Sequence, residues 1–195
     1  VEIKYNNINE KDNDGRNGFM YGCSGGHLNI VKYLVEINYD NIHAKDKNGS
    51  NGFMVACVCA HLNIVNYLVK NIAVHEKDKQ GNNGFMLACY HFKMKRHLNI
   101  VKYLVEMNVG VHEKNNYGYN GFMHACQKGH LKIVKYLVEI NLGIHEKNND
   151  GSIGFIHACH QGHLKIVRYL VEMNVGVHEK DIKGNNGFML ACHKG

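Results

Sequence analysis

The sequence of 195 residues holds 15 His and seven Cys, enough imidazole and thiol donors for metal or redox chemistry. The densest groupings are Cys57-x-Cys59-x-His61 and His157-x-Cys159-His160-x-x-His163. A tetrahedral zinc ion takes such donors only when all of them converge at bonding distance. Six of the cysteines (Cys23, Cys57, Cys89, Cys126, Cys159 and Cys192) instead recur at near-constant intervals. Each then occupies the same place in a recurring unit. Equivalent positions in packed helical units stand about 10 Å apart, beyond the ~7 Å that a disulfide spans. The row therefore reads as small buried thiols, and an odd total fits a reducing compartment. His61 and His163 belong to another row, so each grouping divides between positions and no metal or other cofactor is expected. The triplet His-Glu-Lys at His75, His112, His145 and His178 lacks the second helical His of a zinc protease. It reads as a turn element that bonds backbone. No nucleophile–base set, phosphate-cradling glycine loop or paired carboxylate stands out, so these residues are read as non-catalytic.

The elements that position these rows follow from the repeat. Gly-Phe recurs at Gly18, Gly52, Gly84, Gly121, Gly154 and Gly187; His-Leu-x-Ile-Val begins at His27, His61, His97, His130 and His163. In the fourth unit Asn120 is a good N-cap for a short first helix carrying Phe122, Met123, Ala125 and Cys126, which Gly129 ends. His130 opens a second helix with apolar residues on more than one stripe, as suits a helix packed between neighbours. Asn141 stands where a left-handed residue ends a helix, and a hairpin-like turn through Gly151 leads to the next unit.

This unit resembles the ankyrin repeat. The family pattern D-x-x-G-x-T-P-L-H-x-A-A-x-x-G-H-L-x-I-V lies over the unit beginning at Asn115 without a gap, and the resemblance covers the whole chain. It implies an all-α solenoid of stacked helix–turn–helix units with projecting hairpin-like turns. Residues 1–195 read as one array with six first helices and five complete second helices, entered and left in mid-repeat. The expectation is an uncapped segment of a longer array. Three departures stand out. Asn-Gly-Phe-Met replaces Thr-Pro-Leu-His, giving a costlier helix start and a greasier, softer row. Ile153 takes the N-cap position, leaving that helix weakly started or capped by Ser152. Ala60 replaces the turn glycine, with strain if the position is left-handed. A four-residue insertion near 90–96 is expected to lengthen the first helix or to form a bulging loop.

Composition narrows the function classes. Net charge is +6, but only Arg16, Arg96 and Arg168 among the 23 basic residues are Arg. The lysines are dispersed by the repeat rather than gathered into a stripe, so no nucleic-acid partner is expected. No apolar run is long enough for a membrane span. The Pro-free, Asn/Lys-rich style is similar to ankyrin-repeat proteins of giant viruses of amoebae. That likeness implies an intracellular site of action and host proteins as partners.

Comparison of the units points to where a partner sits. Residues 108–140 and 141–173 are near copies. Apart from conservative exchanges they differ at Tyr117/Asp150, Tyr119/Ser152, Asn120/Ile153, Gln127/His160 and Lys128/Gln161. These positions lie in the turn before the first helix and at that helix's end, the side that forms the concave partner-binding groove in ankyrin arrays. Exposed Tyr offers contact area at low entropic cost, so Tyr117 and Tyr119 are the anchors, with His124 pointing the same way. Tyr90 and Phe92, in the insertion, are a further contact element. The expected function is a protein-interaction scaffold. The alternative is a structural component that self-associates head-to-tail through open ends.

Overall fold

The computed structural model describes residues 10–37, 41–91 and 95–193, which form eleven helices and no strand. They come in pairs: α1 (Gly18–Gly25) and α2 (Leu28–Glu36), α3 (Gly52–Cys59) and α4 (Leu62–Asn71), α5 (Gly84–Tyr90) and α6 (Lys95–Glu106). Then follow α7 (Gly121–Lys128) and α8 (Leu131–Glu139), α9 (Gly154–His160) and α10 (Leu164–Glu172), and the first helix α11 (Gly187–His193). First helices pack on first helices and second on second in single file, giving a two-layer stack with turns along one edge.

Every first helix but α9 starts on the same device. Asn17, Asn51, Asn83 and Asn120 hold extended backbone, and each side-chain Oδ1 accepts from the N–H three residues on, at Met20, Met54, Met86 and Met123. The amides of Asn17, Asn83 and Asn120 also donate to the carbonyls of Asn41, Gly110 and Gly143 in the loop that follows the second helix. One side chain thus caps a helix and ties down a loop. Ile153 offers neither bond, and α9 has no side-chain cap. Ser152 does not substitute: it is buried, and its N–H donates to Asn148 Oδ1 at 2.8 Å.

The Gly-Phe step has a packing cause. Phe19, Phe53, Phe85, Phe122 and Phe155 are all buried, and each ring lies against the glycine of the next unit. A Cβ at Gly52 would stand 2.5 Å from Phe19 Cε1, and one at Gly187 would stand 2.6 Å from Phe155 Cε1. A Cβ at Gly18 would meet nothing within 4 Å among the described residues. The side chain missing at each helix start makes room for a ring one repeat away, and burying each ring contributes roughly 1.5–3 kcal/mol. The apolar row beside it is buried as well at Met20, Met54, Met86, Met123 and Ile156, whereas Met189 is exposed.

Polar contacts stitch the units along every face. In the turns, Oδ1 of Asp12, Asp46, Asp78, Asn115, Asn148 and Asp181 accepts from the N–H groups two and four residues on. Successive turn tips are joined by N–H to carbonyl bonds such as Lys79 to Asn48 and Asn149 to Tyr117. Lys77 and Lys114 of the His-Glu-Lys turns reach the next unit's Glu and the carbonyl beside it: Lys114 Nζ lies 3.0 Å from Glu146 and 2.9 Å from the Lys147 carbonyl. On the second helices Lys32, Lys102 and Lys135 lie over the rings of Tyr67, Tyr136 and Tyr169.

Two local departures remain. Ala60 is left-handed, with φ 62° where the other turns use glycine. The insertion does not lengthen the first helix: α5 ends at Tyr90, whereas α6 starts at Lys95 and runs for 12 residues against nine in α8. The described part therefore adds about one turn to the second helix, because Lys95 and Arg96 continue the helical backbone ahead of His97. Phe92 lies outside the described residues.

Candidate functional site

The histidine and cysteine rows resolve into structure. His61, His97, His130 and His163 each place Nε2 about 3 Å from a carbonyl of the preceding unit, at Ser24, Val58, Tyr90 and Gln127. A carbonyl only accepts, so each Nε2 carries the proton. His61 and His163 are thereby committed away from Cys57 and Cys159, which sit in the core. Among the described residues no three His, Cys, Asp or Glu side chains stand close enough to hold a metal ion. Among the described residues no cysteine is in a disulfide. Burial pushes the Cys23 thiol up to about 12 and the Cys159 thiol up to about 11, so neither is a thiolate near neutrality.

The turn tips and first-helix ends instead enclose a groove of about 580 Å³ on the turn side of the stack. Tyr90, Tyr117, Tyr119, His124, Gln127 and Asp150 all line it. Ser152, His160 and Gln161 line an adjoining groove of about 370 Å³ that shares Tyr119, Gln127 and Asp150 with the first. Lys128 is exposed at the rim, its Nζ 4.2 Å over the Tyr90 ring. Ten of the eleven candidate residues thus gather along one continuous face, although Ser152 is buried and offers little surface.

The wall between the two grooves is an aromatic stack. Tyr119 lies between His124 (ring centroids 5.3 Å apart) and His157 (4.7 Å), and Tyr90 meets His124 edge-on at 5.4 Å. Hydrogen bonds fix the His124 tautomer. Asn115 spends its oxygen on the N–H groups of Tyr117 and Tyr119, so its amide donates to Asn82 Oδ1 at 2.8 Å. Asn82 Oδ1 is therefore an acceptor, and His124 Nε2 donates to it at 3.2 Å. Nδ1 of His124 is left as a lone pair without a partner. Burial, then neighbouring His157 and Lys128, lowers the His124 pKa to about 4; burial, then His160, does the same for His157. Both rings are neutral near pH 7. Burial is also the main cause that raises the Tyr119 hydroxyl pKa.

Single-pair comparison missed half of the lining. Asn48, Asp78, Gln80, Asn82 and Asn115 border the groove from the turns of three units. Their signal was present: they occupy the same turn positions as Tyr117, Tyr119 and Asn148, and tracing those positions through every unit finds them. Leu87 and His91, from α5 and its end, complete the wall.

The family model for ankyrin repeats in three copies matches residues 2–78 and 69–148. No curated protein matches the chain. The matched stretch covers well over half of the sequence, and beyond it the structure repeats the same unit through α9, α10 and α11. On these grounds the chain belongs to the ankyrin-repeat family.

Proposed function

We propose that this chain is a protein-interaction scaffold that holds a partner in the groove on its turn side, with no catalysis in these residues. Ankyrin repeats are in general protein–protein interaction modules and are typically non-catalytic. One observation carries the finer reading: four of the five non-conservative differences between two near-copied units fall on or beside one concave face, around Tyr117, Tyr119 and Asp150. A partner surface diverges between copies, whereas positions that stitch repeats together do not. Nucleic acid is not the proposed partner, because Lys45, Lys77, Lys114 and Lys147 are each paired with a Glu. No helix among the described residues is long and apolar enough to cross a membrane. Cysteines that form no disulfide among the described residues support an intracellular setting for the interaction.

Panning a random displayed-peptide library on the chain, with counter-screening on Tyr117→Ala, tests this reading. Tyr117 is 60% exposed, so the variant keeps the fold. The expected result is a set of peptides that bind the chain and lose binding to the variant. Peptides indifferent to Tyr117 would place the contact surface elsewhere. The competing reading is head-to-tail association of copies, for which the exposed Ile182, Phe188 and Met189 supply apolar surface. Light scattering that grows with protein concentration would favour it.

A further inference from the structure

Resting on that reading of the groove, we infer that the partner presents a cationic side chain, best a guanidinium, to the Tyr117–Tyr119–Asp150 part of it. The charge of the lining is the first reason. Asp78 and Asp150 line the groove and no Lys or Arg does, in a chain with 23 basic against 17 acidic residues. The turn lysines are drawn off toward the glutamates of the next unit, Lys77 to Glu113 at 2.8 Å and Lys147 to Glu179 at 2.8 Å. The His-Glu-Lys lysines are thus paired away from this groove while Asp78 and Asp150 line it, and Lys128 stands only at its rim.

Asp150 is the second reason. In the other turns the carboxylates of Asp46, Asp78 and Asp181 accept the turn's own N–H groups. In the fifth turn Asn148 does that work, accepting from Asp150 N–H and Ser152 N–H. Asp150 is left exposed, with its side chain outside the turn's bonding and close enough to Tyr119 to raise that hydroxyl's pKa. The Tyr117 carbonyl accepts from Asn149 N–H at 3.1 Å, which holds the tip carrying the exposed ring beside the tip carrying the carboxylate.

The rings are the third. An aromatic face attracts a cation, and a planar guanidinium stacks there while its N–H groups reach a carboxylate. Lys128 already makes this kind of contact on Tyr90 at the groove's rim. His124 and His157 stack on Tyr119 from its two sides, so the exposed Tyr117 ring supplies the open face.

The test is fluorescence anisotropy with a short peptide of alternating Arg and Ser carrying an uncharged dye, beside its Gln and Glu counterparts. The chain's net charge of +6 repels a cationic peptide overall, so binding reports the local site. The Arg peptide should bind at least about tenfold more tightly than the Gln peptide, and the Glu peptide more weakly still. Asp150→Asn and Tyr117→Ala, both at exposed side chains, should each weaken Arg-peptide binding about fivefold; Arg168→Ala on α10 should not. Equal or tighter binding of the Gln or Glu peptide overturns the inference, as does Arg binding indifferent to both groove variants. Library peptides that depend on Tyr117 but are acidic or apolar would overturn it while leaving the groove as the partner site. Absence of any Tyr117-dependent peptide would instead remove the reading beneath it.

Discussion

His124 and His157 hold the Tyr119 ring between them, and neither can be charged without leaving that environment. Their folded pKa of about 4 lies below the 6.5 of an unperturbed imidazole. As pH falls below 6.5 the unfolded chain takes up protons first, so stability present at neutral pH is lost progressively down to about 4. Urea midpoints should therefore fall between pH 7 and pH 4.5, and His124→Gln should flatten that fall; an unchanged slope would show that the ring is not buried as described. The position of His124 on the turn-side face was legible from its place in α7. Its burial was not, because its stacking partners Tyr119 and Tyr90 come from a turn and from the preceding first helix.

At the scale of the element, the Asn-Gly-Phe start couples each unit to the next. A Cβ at Gly121 would stand 3.0 Å from Cys89 Sγ and closer still to the Phe85 ring. Gly121→Ala should cost about 1–3 kcal/mol through overpacking, part of it recovered when combined with Phe85→Leu. Gly18→Ala, facing open space, should be neutral or stabilising by up to about 1 kcal/mol. Equal losses at both positions would refute the Phe–Gly pairing. Asn120→Ala removes a cap and a loop bond together and should lower unfolding free energy by about 2 kcal/mol. In the unaltered chain the Ile156 amide should exchange hydrogen faster than Met123, since only the latter has a side-chain acceptor. Caps, helix order and the left-handed Asn141 were all legible as local patterns. The reason for glycine in place of proline was not, since the ring that needs the space sits a full repeat earlier in the chain.

For the whole molecule, the structure explains why the second helices scarcely differ between copies. Their exposed residues are engaged: Lys32, Lys102 and Lys135 cover tyrosines of the following unit, and Tyr103 donates to Asn66 where that lysine is missing. Surface drift alone would have altered both faces. Four of the five non-conservative differences instead fall on the groove and its rim, the exception being the buried cap position Asn120/Ile153. The array and its period were fully legible, because each row recurs in every unit. The groove was legible only in outline, since its lining spans turns of several units and part of it consists of turn-forming Asp and Asn with a structural role as well. The most direct test of the groove as the partner surface is amide chemical-shift mapping upon addition of the tightest Tyr117-dependent library peptide. Perturbations should concentrate in the turns around Tyr117 and Asp150 and along α7 and α9. Shifts centred on α4, α6, α8 and α10 would contradict the account.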